Sequence, residues 1–324
     1  MNLPGFNIDN KFVISLRGKK NKVDAGKPYA YLVEKERMPS GHIEEISTIF
    51  LTNKACPFTC LMCDLWHHTT DYTVAKGAIP AQIEYALTRM PQTKHIKLYN
   101  SGNFFDAKAI PPGDHGAIAS LLSAFDTVIV ENHPKMTDRR IFDFRDKLKS
   151  KLQIAMGLET IHPGVLPLLN KQMNVDDFEK AVRLLLSQDI LTRAFILLRP
   201  PFLSEEEGIV WAQKSIDFAF NCGVECCAVI PTRSGNGAME VLESEGLFES
   251  PQIASLEQVQ AYGIGLGKGR VFADLWDLEH FSNCSLCFEK RRMRMEMMNL
   301  EQMIYAPIVC SCQVGEPDQN QLKT

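Results

Sequence analysis

The chain has 324 residues, of which 45% are hydrophobic and 23% charged, and a formal net charge of −4. These proportions support a sizeable core and exclude global disorder. The acidic balance argues against a general nucleic-acid coat while leaving room for a local basic patch. No apolar run approaches the length of a membrane span, and the opening MNLPGFNIDN lacks the core of a secretion signal. The expectation is a cytoplasmic protein with no membrane segment, whose ten cysteines serve metal rather than disulfides.

Residues 1–45 read as a polar N-terminal extension holding a helix and a basic cluster, Arg17, Lys19, Lys20 and Lys22. Such a run is either a solvated face or a phosphate contact. From residue 46 to about 268, strands and helices alternate. The predicted strands are Ile46–Thr52, His95–Asn100, Thr127–Glu131, Gln153–Leu158, Thr192–Leu198 and Glu225–Ile230. The predicted helices are Pro80–Met90, Asp114–Phe125, Asp138–Lys151, Val175–Ser187, Glu205–Asn221 and Leu256–Gly265. Ser204 and Glu207 form a capping box, and Pro80 suits a first helical position. Alternating units imply a parallel α/β sheet. In barrels of this kind the active site lies at the C-terminal ends of the strands.

The first of these strands runs into Cys56, Cys60 and Cys63, at C-x3-C-x2-C spacing. Thiolates favour zinc and iron–sulfur clusters. A cubane usually takes four cysteines, so three on one loop leave one iron open to chemistry. Read alone, the three could also be part of a zinc site, with His67 or His68 near by, or buried thiols without a ligand.

The spacing, on a loop after the first strand, resembles that of the radical S-adenosylmethionine (radical SAM) superfamily. The resemblance implies a partial (β/α)6 TIM-like barrel over residues 46–268. It implies that Cys56, Cys60 and Cys63 hold a [4Fe–4S] cluster whose fourth iron is chelated by S-adenosylmethionine. The reduced cluster of that family cleaves the sulfonium to a 5'-deoxyadenosyl radical, which abstracts hydrogen from substrate. The cofactor carries the radical chemistry and the protein binds, orients and shields it. A flavodoxin- or ferredoxin-like electron donor is implied as an external partner.

Other strand ends supply candidates for the same rim. Asn100-Ser101-Gly102-Asn103 stands where the superfamily usually has Gly-Gly-Glu against the cofactor's amino group, here without the carboxylate. Taken alone, these are turn residues. Glu131 and Glu159 are candidates for ribose hydroxyls, the amino group or substrate, since a carboxylate at a barrel mouth is costly unless hydrated, used or paired. The alternative is surface carboxylates. Arg199 could fork onto the cofactor carboxylate or lie at the surface. Arg233 and Asn236, in the loop 231–237, are substrate candidates in what could equally be a plain flexible loop.

Gly157-Leu-Glu-Thr160, Asn170-Lys171, Arg199-Pro-Pro-Phe202, Ser204-Glu205 and a Pro-Thr…Gly segment near 231–237 follow in order. With Cys-Leu-Met-Cys, this set resembles the elongator-type branch, and within it the radical SAM subunits of the archaeosine-synthase type, over roughly residues 46–312. That implies a modified tRNA base as substrate, a broken carbon–nitrogen bond and a partner subunit. Met62 departs from the pattern, which has an aromatic before the third cysteine.

Residues 269–324 read as a small Cys-rich C-terminal unit. Cys284 and Cys287, with Cys310 and Cys312, form two chelating pairs suited to tetrahedral zinc. A second [4Fe–4S] cluster has the same ligand count, and disulfides or free thiols are the remaining reading. On the helix between the pairs, Met293 and Met297 are expected to face the core. Lys290, Arg291, Arg292 and Arg294 are expected to face solvent or a nucleic-acid phosphate. Cys222, Cys226 and Cys227 read as small buried hydrophobes, and the polar residues from Gly315 onward as a disordered tail. The competing function is a non-catalytic zinc or iron–sulfur module that docks RNA or a protein partner.

Overall fold

The computed structural model describes residues 7–313; the expectation for the tail beyond Gly315 lies outside them. The sheet is built from β1 (Ala30–Arg37), β2 (Ile43–Phe50), β3 (His95–Tyr99), β4 (Thr127–Glu131), β5 (Lys151–Glu159), β6 (Leu191–Leu198), β7 (Cys226–Pro231) and β8 (Arg270–Ala273). Its order is β1 through β8, with β1 antiparallel to β2 and every other pair parallel. The result is a curled half-barrel with helices outside, the α/β class expected. The six expected strands are all present, and β1 and β8 extend them at the two edges.

The main helices behind the sheet are α2 (Ala78–Leu87), α3 (His115–Leu121), α4 (Arg139–Arg145), α5 (Val175–Leu186), α6 (Glu205–Cys222) and α8 (Ile253–Gly265). Outside that set lie α1 (Asn10–Leu16), α7 (Ala238–Ser244) and α9 (Ser285–Glu301). The Ser204–Glu207 capping box opens α6 as expected. α2 starts at Ala78, two residues before Pro80, after Gly77 at φ +87°. Pro80 still falls in the first turn, where its missing N–H is not needed. α3 and α4 stop well short of the expected ends, α4 giving way to β5 at Lys151. Parallel strands covered on both faces read as near-continuous apolar runs; the main core, from Ile49 and Leu98 to Ile196 and Val229, fills the space under the helices.

The barrel interior is different. Ile46, Ile129 and Ala155, with Tyr99 and Phe195, form a small apolar layer. Toward the N-terminal ends of the parallel strands the lining turns ionic. Buried Glu36 of β1 pairs with Lys97 at 2.6 Å, with Arg270 at 3.3 Å and with Arg193. Lys97 also reaches Glu34 at 2.9 Å, and Arg270 reaches Glu225 at 2.6 Å. The three cations hold the Glu36 carboxyl far below the ordinary carboxylate range against the opposing effect of burial. No helix among the described residues is long and apolar enough to cross a membrane.

Candidate active site and metal centre

The cysteine loop leaves the C-terminal end of β2 and is braced from four directions. Ala55 N–H donates to the Thr70 carbonyl at 3.0 Å, and Thr70 N–H to Asn53 O at 2.9 Å. Leu61 N–H donates to Leu169 O at 2.8 Å, and the Asn170 amide to Thr59 O at 2.8 Å. Thr59 Oγ1 donates to Asn10 of α1 at 2.5 Å. Asn236 Nδ2 donates to Leu61 O at 2.7 Å and Cys63 O at 3.3 Å. Asn236, a substrate candidate in the sequence, is therefore a clasp on the loop.

Burial pushes all three thiols up, Cys56 to about 12. As bare thiols they would stay protonated and unreactive; the thiolate state needs a cation. Two side-chain cations already face the loop. Arg17 lies over the Trp66 ring at 5.1 Å and feels all three cysteines. Buried Lys171 holds Glu159 at 2.6 Å. Burial works against its ammonium, but Glu159 and Cys60 outweigh that and raise its pKa. A Cβ on Gly157 would fall 2.0 Å from Glu159 Oε1 and 2.5 Å from Lys171 Nζ, so only glycine leaves room for this pair. Neither His67 nor His68 turns to the cysteines as a zinc ligand would. His67 stacks on Trp66 and contacts Gly235 O, and His68 stacks on Tyr29.

The turn after β3 is seated directly on this loop. Asn103 Nδ2 donates to Cys56 Sγ at 3.2 Å, and its Oδ1 accepts from His133 N–H at 2.6 Å. A Cβ on Gly102 would sit 3.1 Å from Cys56 Cβ, so the two segments meet at a glycine approach. Ser101 takes φ +53°, and its hydroxyl lies 3.1 Å from Tyr29 Oη. Glu131 sits beneath the turn, accepting from Asn100 N–H at 3.1 Å and Gly102 N–H at 3.4 Å. Burial lifts its pKa to about 7, with those N–H groups pulling it back. Asn100 is fully buried, and both atoms of its amide lack a protein partner. An orphaned buried amide at a strand end marks a place built for another polar group.

The remaining candidates have structural partners. The Arg199 guanidinium is taken up by Glu205 at 2.8 Å, Glu249 at 2.5 Å and Ser250 O at 2.9 Å. Arg233 pairs with Asp274 at 2.9 Å and donates to Trp276 O at 2.5 Å. Sequence reasoning passed over Lys171 and Tyr29 as site residues, and over His133, on which Phe58 stacks at 3.7 Å. Their signal is spatial: each sits on a different element from the cysteines.

The C-terminal cysteines converge around the start of α9. Cys284 Sγ lies 3.8 Å from Cys310 Sγ, Cys287 Sγ lies 3.7 Å from Cys312 Sγ, and all four lie within 4.8 Å of one another. None is in a disulfide. Arg291 Nε donates to Cys287 Sγ at 3.3 Å. Two expectations for α9 are reversed. Met293 and Met297 are exposed, while Met295 and Met298 are buried. Arg291 and Arg294 are buried too, because both pair with buried Glu257 of α8, Arg294 at 3.0 Å. A buried carboxylate on the facing helix turned the arginine face inward, which no spacing within α9 could disclose.

No protein-family model matches the chain. It is 24% identical over 258 residues to an uncharacterized protein of Methanocaldococcus jannaschii, covering 74% of this chain and 71% of that one. It is 24% identical over 212 residues to archaeosine synthase subunit beta of Methanosarcina acetivorans. That match takes in 62% of this chain and 60% of the synthase subunit, less than two thirds of its length. The crystal structure of methylornithine synthase superposes with a TM-score of 0.54 at 15% identity, over 77% of this chain and 68% of that one. The chain thus has the fold of methylornithine synthase and is similar in sequence to archaeosine synthase subunit beta, the type that the ordered motifs from Gly157 to Gly237 resemble together with the cysteines.

Proposed function

We propose that this chain is a radical SAM enzyme acting on a base of tRNA. The observation that carries the reading is the seating of the Asn100–Asn103 turn on the Cys56 loop at the C-terminal rim of the half-barrel. Cys56, Cys60 and Cys63 would hold a [4Fe–4S] cluster, and the orphaned Asn100 amide and the main chain of Ser101 and Gly102 would face S-adenosylmethionine. The donor set fits: three half-buried cysteines on one loop, two cations to balance thiolate charge, and a glycine approach that keeps the turn close. When bound, that pair supplies one-electron cleavage of the sulfonium and a radical able to abstract hydrogen.

The chain's own residues position and shield. Asn103 orients Cys56 and ties it to the His133 main chain. Glu131 fixes the turn by accepting its N–H groups. Lys171 and Glu159 form a fixed dipole beside the cysteines, and Arg17 closes the loop on the side of α1. Arg199 and Arg233 hold protein groups and take no cofactor role in this reading.

At the C-terminus the reading is zinc. Four sulfurs bonded at about 2.3 Å to one tetrahedral ion stand about 3.8 Å apart, which the 3.7 and 3.8 Å separations match. A cubane spreads its thiolates over four separate irons and would hold them further apart. A closed four-thiolate ion is structural, and Arg291 would offset its negative charge. An external one-electron donor, a partner subunit and a reducing cytoplasm complete the proposal. The division into 1–45, 46–268 and 269–324 remains its domain scheme, with the sheet drawing β1 and β8 from the flanking segments.

Anaerobic reconstitution followed by dithionite and S-adenosylmethionine tests the chemistry. Formation of 5'-deoxyadenosine is expected; a protein that carries the cluster and forms none would overturn the reading.

A further inference from the structure

A row of rings crosses the barrel mouth beside the cysteine loop. His68 stacks on Tyr29 at 4.5 Å, Tyr29 meets Phe50 at 5.6 Å, and Phe50 meets Trp276 edge-on at 6.5 Å. Phe50 also touches Tyr99 of the interior layer at 6.1 Å, which ties the row to the barrel lining. Trp276 ends the row with its side chain 57% exposed. Its main chain is held on both sides, Trp276 N–H donating to Asp274 Oδ1 at 3.1 Å and its carbonyl accepting from Arg233. A large aromatic face in water on a fixed backbone is a platform rather than a core residue, because the backbone is ordered before any ligand arrives.

Charge lies along the other end of the row. Asn21 N–H donates to His67 O at 2.9 Å, and the Asn21 amide contacts His68 Nε2 at 3.3 Å. This pins the basic segment to the cysteine loop, with Lys19 and Lys22 exposed on either side. Lys20 is committed to Asp71 at 2.6 Å. Between them a cleft of about 360 Å³ is lined by Asn21, Tyr29, Asp64, Leu65, His67 and His68. Exposed cations next to stacking rings are the combination that holds single-stranded nucleic acid, since phosphates take the cations and any base presents a π-face.

We propose that this rim binds an RNA strand, with Lys19 and Lys22 on its phosphates and Trp276 stacking a base displaced toward the barrel. The inference rests on the tRNA reading above and deepens it, giving Trp276 and the two lysines a substrate task and Arg233 a positioning one. A base must leave its helical stack before a buried centre can act on it, and an aromatic face outside the barrel offsets part of that loss.

The test is tRNA binding by the reconstituted protein, followed by tryptophan fluorescence and filter binding, with guanosine as the nucleoside probe. Trp276→Ala should weaken tRNA binding roughly tenfold or more and Trp276→Phe should restore most of it. Lys19→Glu with Lys22→Glu should weaken binding and reduce the salt slope by about one for each lysine. Guanosine should quench wild-type fluorescence and leave that of Trp276→Ala unchanged. Equal tRNA affinity in wild type and Trp276→Ala would overturn the inference. So would lysine variants that bind tRNA normally but accept electrons more slowly from a reduced flavodoxin, since the patch would then serve an acidic protein. Wild type that forms 5'-deoxyadenosine yet binds no tRNA removes the rim and leaves the radical chemistry. Wild type that binds tRNA through Trp276 yet forms none removes the chemistry and leaves the rim.

Discussion

The molecule carries two cysteine groups that differ in how they are held. Cys56, Cys60 and Cys63 sit on one loop, half-buried and braced by Asn10, Asn170 and Asn236 from distant elements. Cys284, Cys287, Cys310 and Cys312 come from two segments, the start of α9 and the stretch after it, drawn within 4.8 Å of one another, the only such set of Cys, His, Asp or Glu ligands among the described residues. Close convergence of four ligands suits one ion that closes a fold. Three ligands on a deeply braced loop, opposite a turn with an orphaned amide, suit a larger group with a side left for chemistry. Ligand count and spacing alone hinted at this contrast; sulfur-to-sulfur distance and the surrounding braces make it physical.

The largest break comes from the ligands themselves. Cys56→Ala is expected to remove iron and sulfide and bring 5'-deoxyadenosine formation to background while zinc stays bound, read by metal analysis beside product chromatography. Cys284→Ala is expected to do the reverse, losing about one zinc per chain and several kcal/mol of stability but keeping iron. Loss of iron in both variants would show that the two groups are not independent.

A substitution in the ionic floor of the barrel serves as the control. Glu36→Gln leaves Lys97, Arg193 and Arg270 facing one another in the barrel floor. Removing one partner from a buried network costs about 3–5 kcal/mol, so denaturant midpoints should drop with neither metal selectively lost. The wild-type contribution is present above the ordinary carboxylate range and is lost only as pH falls through the strongly depressed folded value.

The smallest effect sharpens the N-terminal site alone. Glu131 has a folded pKa raised to about 7 from 4.5. The folded chain therefore holds a proton that the unfolded chain has released. Its stabilising contribution is full below about 4.5 and disappears as pH rises through about 7, a loss of at most about 3 kcal/mol. Glu131→Gln should flatten that part of the stability–pH curve between pH 4.5 and 8; an unchanged curve would mean that this carboxyl is hydrated.

Much of the fold was legible because parallel strands covered on both faces announce themselves as apolar runs, as Ile46–Leu51 and Thr127–Glu131 do. β1 was hidden because its inward residues are Glu34 and Glu36, whose partners Lys97, Arg193 and Arg270 lie far along the chain. β8 was hidden by its length of four residues. At the site, chelating spacings are local and could be read directly. The tasks of Arg199, Arg233 and Asn236 could not, since each is decided by a carboxylate or carbonyl supplied from another element.

Counting iron, sulfide and zinc on the anaerobically purified wild-type chain tests the central contrast most directly. The account predicts about four iron and four sulfide with about one zinc per chain. Zinc at both cysteine groups with no sulfide, or iron enough for two clusters and no zinc, would contradict it.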